Sequence, residues 1–171
     1  MVDFAHLVES ESRGLVAAVY AIVGDRHRSE EIVQDAFERC YRRWRRVSRL
    51  DRPGAWVRRV AINAAISSAR RSSNERRAVQ RLGALVDRDG AVVGDPLGAL
   101  DDEDVWAAVR ALPDDQAAAI ALRYGADVGI DEIAATLQLS VPAVKSLLHR
   151  GRAALRSAPA LQPYAEGQSA P

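Results

Sequence analysis

The 171-residue sequence predicts an all-α chain made of two small helical domains joined by a flexible linker. Three observations carry this. Apolar residues make up 48% of the chain but aromatics only 5%, and Ala and Arg recur throughout, a composition suited to helices packed on small side chains. Apolar positions repeat at helical spacing, with no alternating strand runs in the N-terminal half. Between Ser72 and Asp102 that periodicity fades and Gly83, Gly90, Gly94, Pro96 and Gly98 accumulate, the composition of a linker.

From Asp3 to Val23, Phe4, Leu7, Val8, Leu15, Val16, Val19, Tyr20 and Val23 fall on one helical stripe, with Gly14 marking a break and Gly24 a C-cap. Ser29 is the expected N-cap of the next helix, Glu30 to Val47. Its apolar stripe is Ile32, Val33, Ala36, Phe37, Cys40, Tyr41, Trp44 and Val47. Acids occupy the N-terminal half of its polar face and arginines the C-terminal half, the order a helix dipole favours. Pro53 opens a third helix, with Trp56, Val57, Val60, Ala61 and Ala64 inward, ending near Arg71. A short helix is expected around Val79 to Val86 within the linker. Beyond it, helices are expected over Glu103 to Leu112, Asp114 to Tyr124, Ile130 to Leu137 and Val141 to Arg156, and the Pro-containing tail from Ser157 has no repeating apolar face. The domains are therefore drawn at 1–71 and 103–156, with linker 72–102 and tail 157–171.

Net charge is only +1, so whole-molecule charge does not argue for nucleic acid; what information charge carries lies in its distribution. Arg39 to Arg59 holds nine arginines and one acid, Asp51, whereas Asp87 to Asp115 is predominantly acidic. A solvated helix surface has the same look, so the charge run alone decides nothing. The single Cys40 lies on an apolar stripe and excludes an intrachain disulfide framework or Cys-based zinc site. His6, His27 and His149 fall in unrelated segments and there is no glycine-rich phosphate loop, so no catalytic residues, metal or cofactor are expected. No signal-peptide pattern opens the chain and no apolar run approaches the roughly 20 residues of a membrane span, so a cytoplasmic location and no membrane partner are expected.

Ile130 to Arg150 reads as a helix-turn-helix. Ile133, Ala134 and Leu137 bury the first helix, Leu139 plugs the turn, Ser140 caps the second helix, and Val144 with Leu148 buries it. Pro142, Ala143, Lys145, Ser146, His149 and Arg150 are left outward, where a recognition helix meets the major groove. Lys145 and Arg150 can reach phosphates or base acceptors, and the small residues permit close approach.

The runs Leu112-Pro-Asp-Asp-Gln116, Ala121-Leu-Arg-Tyr124, Asp131-Glu-Ile-Ala134, Leu139-Ser-Val-Pro-Ala-Val-Lys-Ser146 and Leu148-His-Arg150 resemble region 4 of the extracytoplasmic-function group of sigma factors, in the sigma-70 family. Gly24 to Phe37 resembles region 2.2 of the same group, and Ala55-Trp-Val-Arg-Arg-Val-Ala-Ile-Asn63 its region 2.3. Together the resemblance covers Phe4 to Arg156. It implies a transcription initiation factor, not an enzyme, whose partners are the β and β′ subunits of core RNA polymerase and promoter DNA. It further implies that Glu31, Gln34, Asp35 and Glu38 grip the β′ clamp helices, with Phe37 mainly core. Asn63, ending its helix, helps form the pocket for a flipped base of the -10 element, with Arg42, Arg45, Arg58 and Arg59 along the phosphate track and the exposed face of the second hairpin helix on the -35 element. A helix C-cap is the alternative role for Asn63. Many members of the group are held by an anti-sigma protein, which makes such a partner a candidate.

The chain departs from the group's pattern at Leu147, where a basic residue is usual, and at Gly129, where a Ser or Thr cap is common; the middle region of larger sigma factors is absent. The first departure should weaken one DNA contact and the second should cost tenths of a kcal/mol. A LuxR-like regulator shares the hairpin but needs a domain of alternating strands and helices. A helical adaptor that binds only protein is the remaining rival.

Overall fold

The computed structural model describes residues 3–81 and 103–158, which form α-helices, a π-helical turn and no strand. Helices α1 (Phe4–Val23), α2 (Arg26–Arg42), α3 (Trp44–Val47) and α4 (Pro53–Arg81) make the N-terminal group. Helices α5 (Glu103–Arg110) and α6 (Asp114–Ile120), the π-helical turn Ala121–Gly125, α7 (Ile130–Leu137) and α8 (Val141–Arg156) make the second. The expected linker lies partly in α4, which runs ten residues past Arg71 because Glu75 to Arg81 are good helix formers. The rest of that linker, most of the short helix expected at 79–86, and the tail beyond Ala158 lie outside the described residues.

Local chemistry accounts for the helix ends. Gly24 caps α1 in the left-handed region (φ 74°), its N–H donating to the Tyr20 carbonyl at 2.8 Å. Asp25, not Ser29, is the N-cap of α2: its carboxylate accepts from the Arg28 N–H at 2.7 Å. Ser29 sits one turn inside, fully buried, its hydroxyl donating to the Asp25 carbonyl at 2.6 Å. The helix expected through Val47 breaks at Arg43 (φ −112°, ψ 16°), and the short α3 continues in a new direction. Ser140 caps α8 as expected, accepting from the Ala143 N–H at 3.3 Å, whereas Leu139 is 38% exposed and does not plug the turn.

Leu15, Val19, Ile22, Val33, Phe37, Cys40, Val57 and Ile62 close the core of the first group, while Val109, Ile120, Leu122, Ile133, Val144 and Leu148 close the second. The two cores join along α1, which packs on α2 and α4 on one side and on α5 and the π-helical turn on the other. Gly14 is not a break: α1 passes straight through it, and a Cβ there would lie 3.3 Å from the Ala126 carbonyl oxygen. A Cβ on Gly125 would lie 3.3 Å from Ala18 Cα. Glycine at these positions lets two backbones approach to a distance that a larger side chain would forbid.

Within the second group, α6 and α8 cross at Gly151, where a Cβ would stand 2.9 Å from Ile120 Cγ1. Gly151→Val should therefore force Ile120 off its position and destabilise the chain by about 1–3 kcal/mol, a typical overpacking cost. Urea unfolding followed by circular dichroism checks this: an unchanged midpoint would mean that the crossing relaxes freely.

Candidate nucleic-acid interface

Helix α2 turns Ile32, Val33, Ala36, Phe37 and Cys40 inward and leaves Glu31, Gln34, Asp35 and Glu38 exposed, as the sequence pattern predicts. Burial alone pushes the Cys40 thiol up to about 11, so it stays a neutral core group. Glu31 accepts from Arg28 at 2.9 Å and Glu38 from Arg42 at 2.5 Å. Such exposed pairs are worth about 0.3–0.5 kcal/mol each, so an incoming partner can rearrange them at small cost. Asp35 has no ion-pair partner among the described residues.

Past the break at Arg43, Arg42, Arg43, Arg45 and Arg46 surround an open concavity with Tyr41 and Trp44. Tyr41, assigned to the apolar stripe by periodicity, is 66% exposed, its ring 5.1 Å from that of Phe4. Helical arithmetic contained the signal: Tyr41 follows Gln34 by seven residues, about two turns, which puts it on the polar face beside Glu38. Exposed aromatic and guanidinium groups together suit a single strand, offering a stacking surface and phosphate contacts.

Asn63 is exposed in the middle of α4, with Arg59, Ser67 and Arg70 at neighbouring positions of the same face. It does not end a helix, so the C-cap alternative falls. Its backbone carbonyl accepts from the Ser67 hydroxyl at 2.8 Å. Arg59 is half-buried at the edge of this face.

Arg58 departs from the pattern. It is 6% exposed, wedged between the two helical groups. Its guanidinium donates to Glu11 of α1 at 2.5 Å, to Glu132 of α7, and to the Thr136 hydroxyl at 3.3 Å. In this arrangement it does not line a solvent-facing track with Arg42 and Arg45, because its neighbours here are carboxylates from both groups.

On α8, Pro142, Lys145, Ser146, His149 and Arg150 are exposed and Ala143 is half-buried, and Lys145, Ser146, His149 and Arg150 line one shallow concavity. Leu147 is 8% exposed and faces the core, so this departure from the basic residue leaves the outward face itself unchanged. At Gly129 no side chain caps α7, and a Cβ there would meet nothing within 4 Å.

A family profile described as Sigma-70 region 2 matches residues 7–75, and one described as Sigma-70, region 4 matches residues 102–155. Over 90% of its length the chain is 26% identical to the ECF RNA polymerase sigma factor SigW of Bacillus subtilis, covering 87% of that protein. It is 27% identical to the RNA polymerase sigma-E factor of Streptomyces coelicolor over 91% of the chain and 85% of that protein. Among solved structures, the sigma factor RpoE of Bartonella quintana, in complex with the anti-sigma factor NepR, has the same fold, with a TM-score of 0.67 and 22% identity over 89% of this chain and 92% of that one. With both regions matched in order and relatives aligned along nearly its whole length, the chain belongs to the extracytoplasmic-function group of the sigma-70 family.

Proposed function

We propose that this chain binds core RNA polymerase through the polar face of α2 and directs it to promoters, with α3 and α4 on the -10 element and α8 on the -35 element. The observation that carries the reading is the pairing of region 2 and region 4 in one chain, each with an exposed polar helix face. That pairing disfavours a LuxR-like regulator, and the described residues contain no strand for the sensor domain it needs. Within this reading 1–71 is the polymerase and -10 unit and 103–156 the -35 unit. The protein acts as a non-enzymatic initiation factor in the cytoplasm, and no described helix is long and apolar enough to cross a membrane.

Each surface has a stated job. Glu31, Gln34, Asp35 and Glu38 meet the β′ clamp helices, and Asn63 reads a flipped -10 base by its edge. Arg42, Arg45 and Arg59 neutralise phosphates of the melted strand. Lys145, Ser146, His149 and Arg150 face the -35 major groove, with Pro142 and Ala143 allowing the helix N-terminus to approach. The Bartonella quintana structure contains an anti-sigma factor, which makes a protein of that kind a candidate partner here. Run-off transcription with purified core polymerase on genomic fragments tests the whole reading; no specific transcript would reject it.

Two narrower outcomes follow from the site assignments. Replacing Gln34 with Ala and Asp35 with Arg should weaken association with core polymerase on the order of tenfold, with helix content unchanged because both side chains are exposed. Unaltered affinity in a pull-down titration would remove the α2 assignment.

The DNA contacts should also separate by step. Lys145→Ala should weaken binding to -35 duplex by about 1 kcal/mol or more, uniformly across sequences if the contact is to phosphate. Asn63→Ala should leave duplex binding intact but reduce permanganate-reactive open complexes. Failure of both variants at the same step would contradict a two-site division.

A further inference from the structure

Polar contacts between described residues join the two helical groups, and Arg58 is the most buried charged group in them. Arg52 donates to the Asp131 carbonyl at 3.0 Å and pairs with Glu132 at 3.1 Å, and Arg70 donates to Asp114 at 2.7 Å. The Tyr20 hydroxyl donates to Glu103 at 3.3 Å. Arg58 takes carboxylates from both groups at once, Glu11 from α1 and Glu132 from α7, with its side chain 7% exposed. Gly54, one turn before Arg58 on α4, leaves room for the Glu11 carboxylate, which a Cβ there would push from its present position. This arrangement cannot be the one that reads a promoter. Elements named for positions -10 and -35 lie about 25 base pairs apart, about 85 Å at 3.4 Å per base pair. A joined chain of this size is about 40 Å across, so the two groups must part before both elements are touched.

We propose that Arg58 is a latch whose guanidinium is claimed by Glu11 and Glu132 in the closed chain and by a DNA backbone phosphate in the open one. The proposal rests on α4 being the -10 surface. Arginine takes carboxylate and phosphate with the same planar fork of donors, so the two ligands exclude one another. Closure therefore does two things at once: it holds region 4 against region 2, and it withholds one cation from the phosphate track while leaving the α2 and α8 faces exposed. Because only the open fraction can present Arg58 to DNA, the closed fraction binds with one phosphate contact fewer, and the open fraction sets how far that contact strengthens binding.

The test uses the full chain and compares Glu11→Gln/Glu132→Gln, Arg58→Ala and Asp104→Asn. The last makes a like-signed charge change at an exposed site outside the latch. Small-angle X-ray scattering reports closure, and fluorescence anisotropy with a labelled, mixed-sequence single-stranded 20-mer reports phosphate binding. The double glutamine variant should be more extended than the wild type and bind the 20-mer roughly fivefold to tenfold more tightly, about tenfold being the ceiling if one chain in ten is open at rest. Arg58→Ala should be equally extended but bind no more tightly than the wild type, and Asp104→Asn should change neither reading by more than its single charge. Circular dichroism confirms that each variant keeps its helices. The latch is overturned if the glutamine variant stays as compact as the wild type, or if Arg58→Ala binds as tightly as the glutamine variant. Run-off transcription separates the two levels: its failure removes the -10 reading, whereas a transcribing chain with unaltered scattering removes only the latch.

Discussion

Helix α1 is covered on two sides, and the path of most of the remaining chain follows from that constraint. Its Leu15, Val19 and Ile22 side is filled from α2 and α4, which leaves Gly14, Ala17 and Ala18 to face the second group. Only small residues there let the π-helical turn bring Gly125 and Ala126 into backbone contact. The π-helical turn, with its wider winding, has its ladder closed by the Ala126 N–H donating to the Ala121 carbonyl at 3.2 Å. Once that turn is seated, the short connection to α7 leaves Glu132 within reach of α4, so an apolar backbone contact positions the charged one. Dispersion between closely approaching backbones is individually weak but summed over many atom pairs, and its steep fall with distance fixes their spacing more tightly than exposed ion pairs can.

Charge in this chain divides by burial. The pairs along α2, Arg26 with Glu30, Arg28 with Glu31 and Glu38 with Arg42, are exposed and contribute tenths of a kcal/mol, so they leave the helix free to exchange its partners. Arg58 is different. Removing one partner of a buried pair typically costs about 3–5 kcal/mol; the cost here is lower because Glu132 keeps 40% of its side chain in water. A contact of intermediate strength suits a joint that has to open, since a fully buried pair would hold the groups together and a fully exposed one would not hold them at all.

Much of the architecture was legible in periodicity. The helices, the Gly24 and Ser140 caps and the outward face of α8 all follow from local rules, because each depends on residues within about one turn. The failures share a cause. Gly14 read as a helix break because its reason is Ala126, more than a hundred positions away. Arg58 read as part of an arginine track because its carboxylate partners lie 47 and 74 positions distant. Tyr41 was misplaced by fitting one stripe through a helix that breaks at Arg43, where no Pro or Gly announces the change. Leu147 departs from the usual basic residue at a position that the structure turns inward, which only the crossing of α8 with its neighbours decides.

Chain length sets the last constraint on how the two surfaces can act together. Residues 82–102 separate the end of α4 from the start of α5, and 21 residues span at most about 70 Å at full extension. Each helical group is itself about 26–30 Å across, so the open chain reaches the roughly 85 Å between the two elements, 25 base pairs at 3.4 Å, with slack to spare. The closed chain falls short by half. Covalent connection then makes the second contact intramolecular once the first is made, raising its effective concentration without any new interaction. Closure and tethering therefore act in opposite directions on affinity: closure lowers it because only part of the population is open, and the tether raises it once one surface has engaged. On the proposed assignment, core polymerase that binds the α2 face engages the closed and the open chain alike, so it can offset the cost of parting the two groups only through contacts that the open chain alone makes.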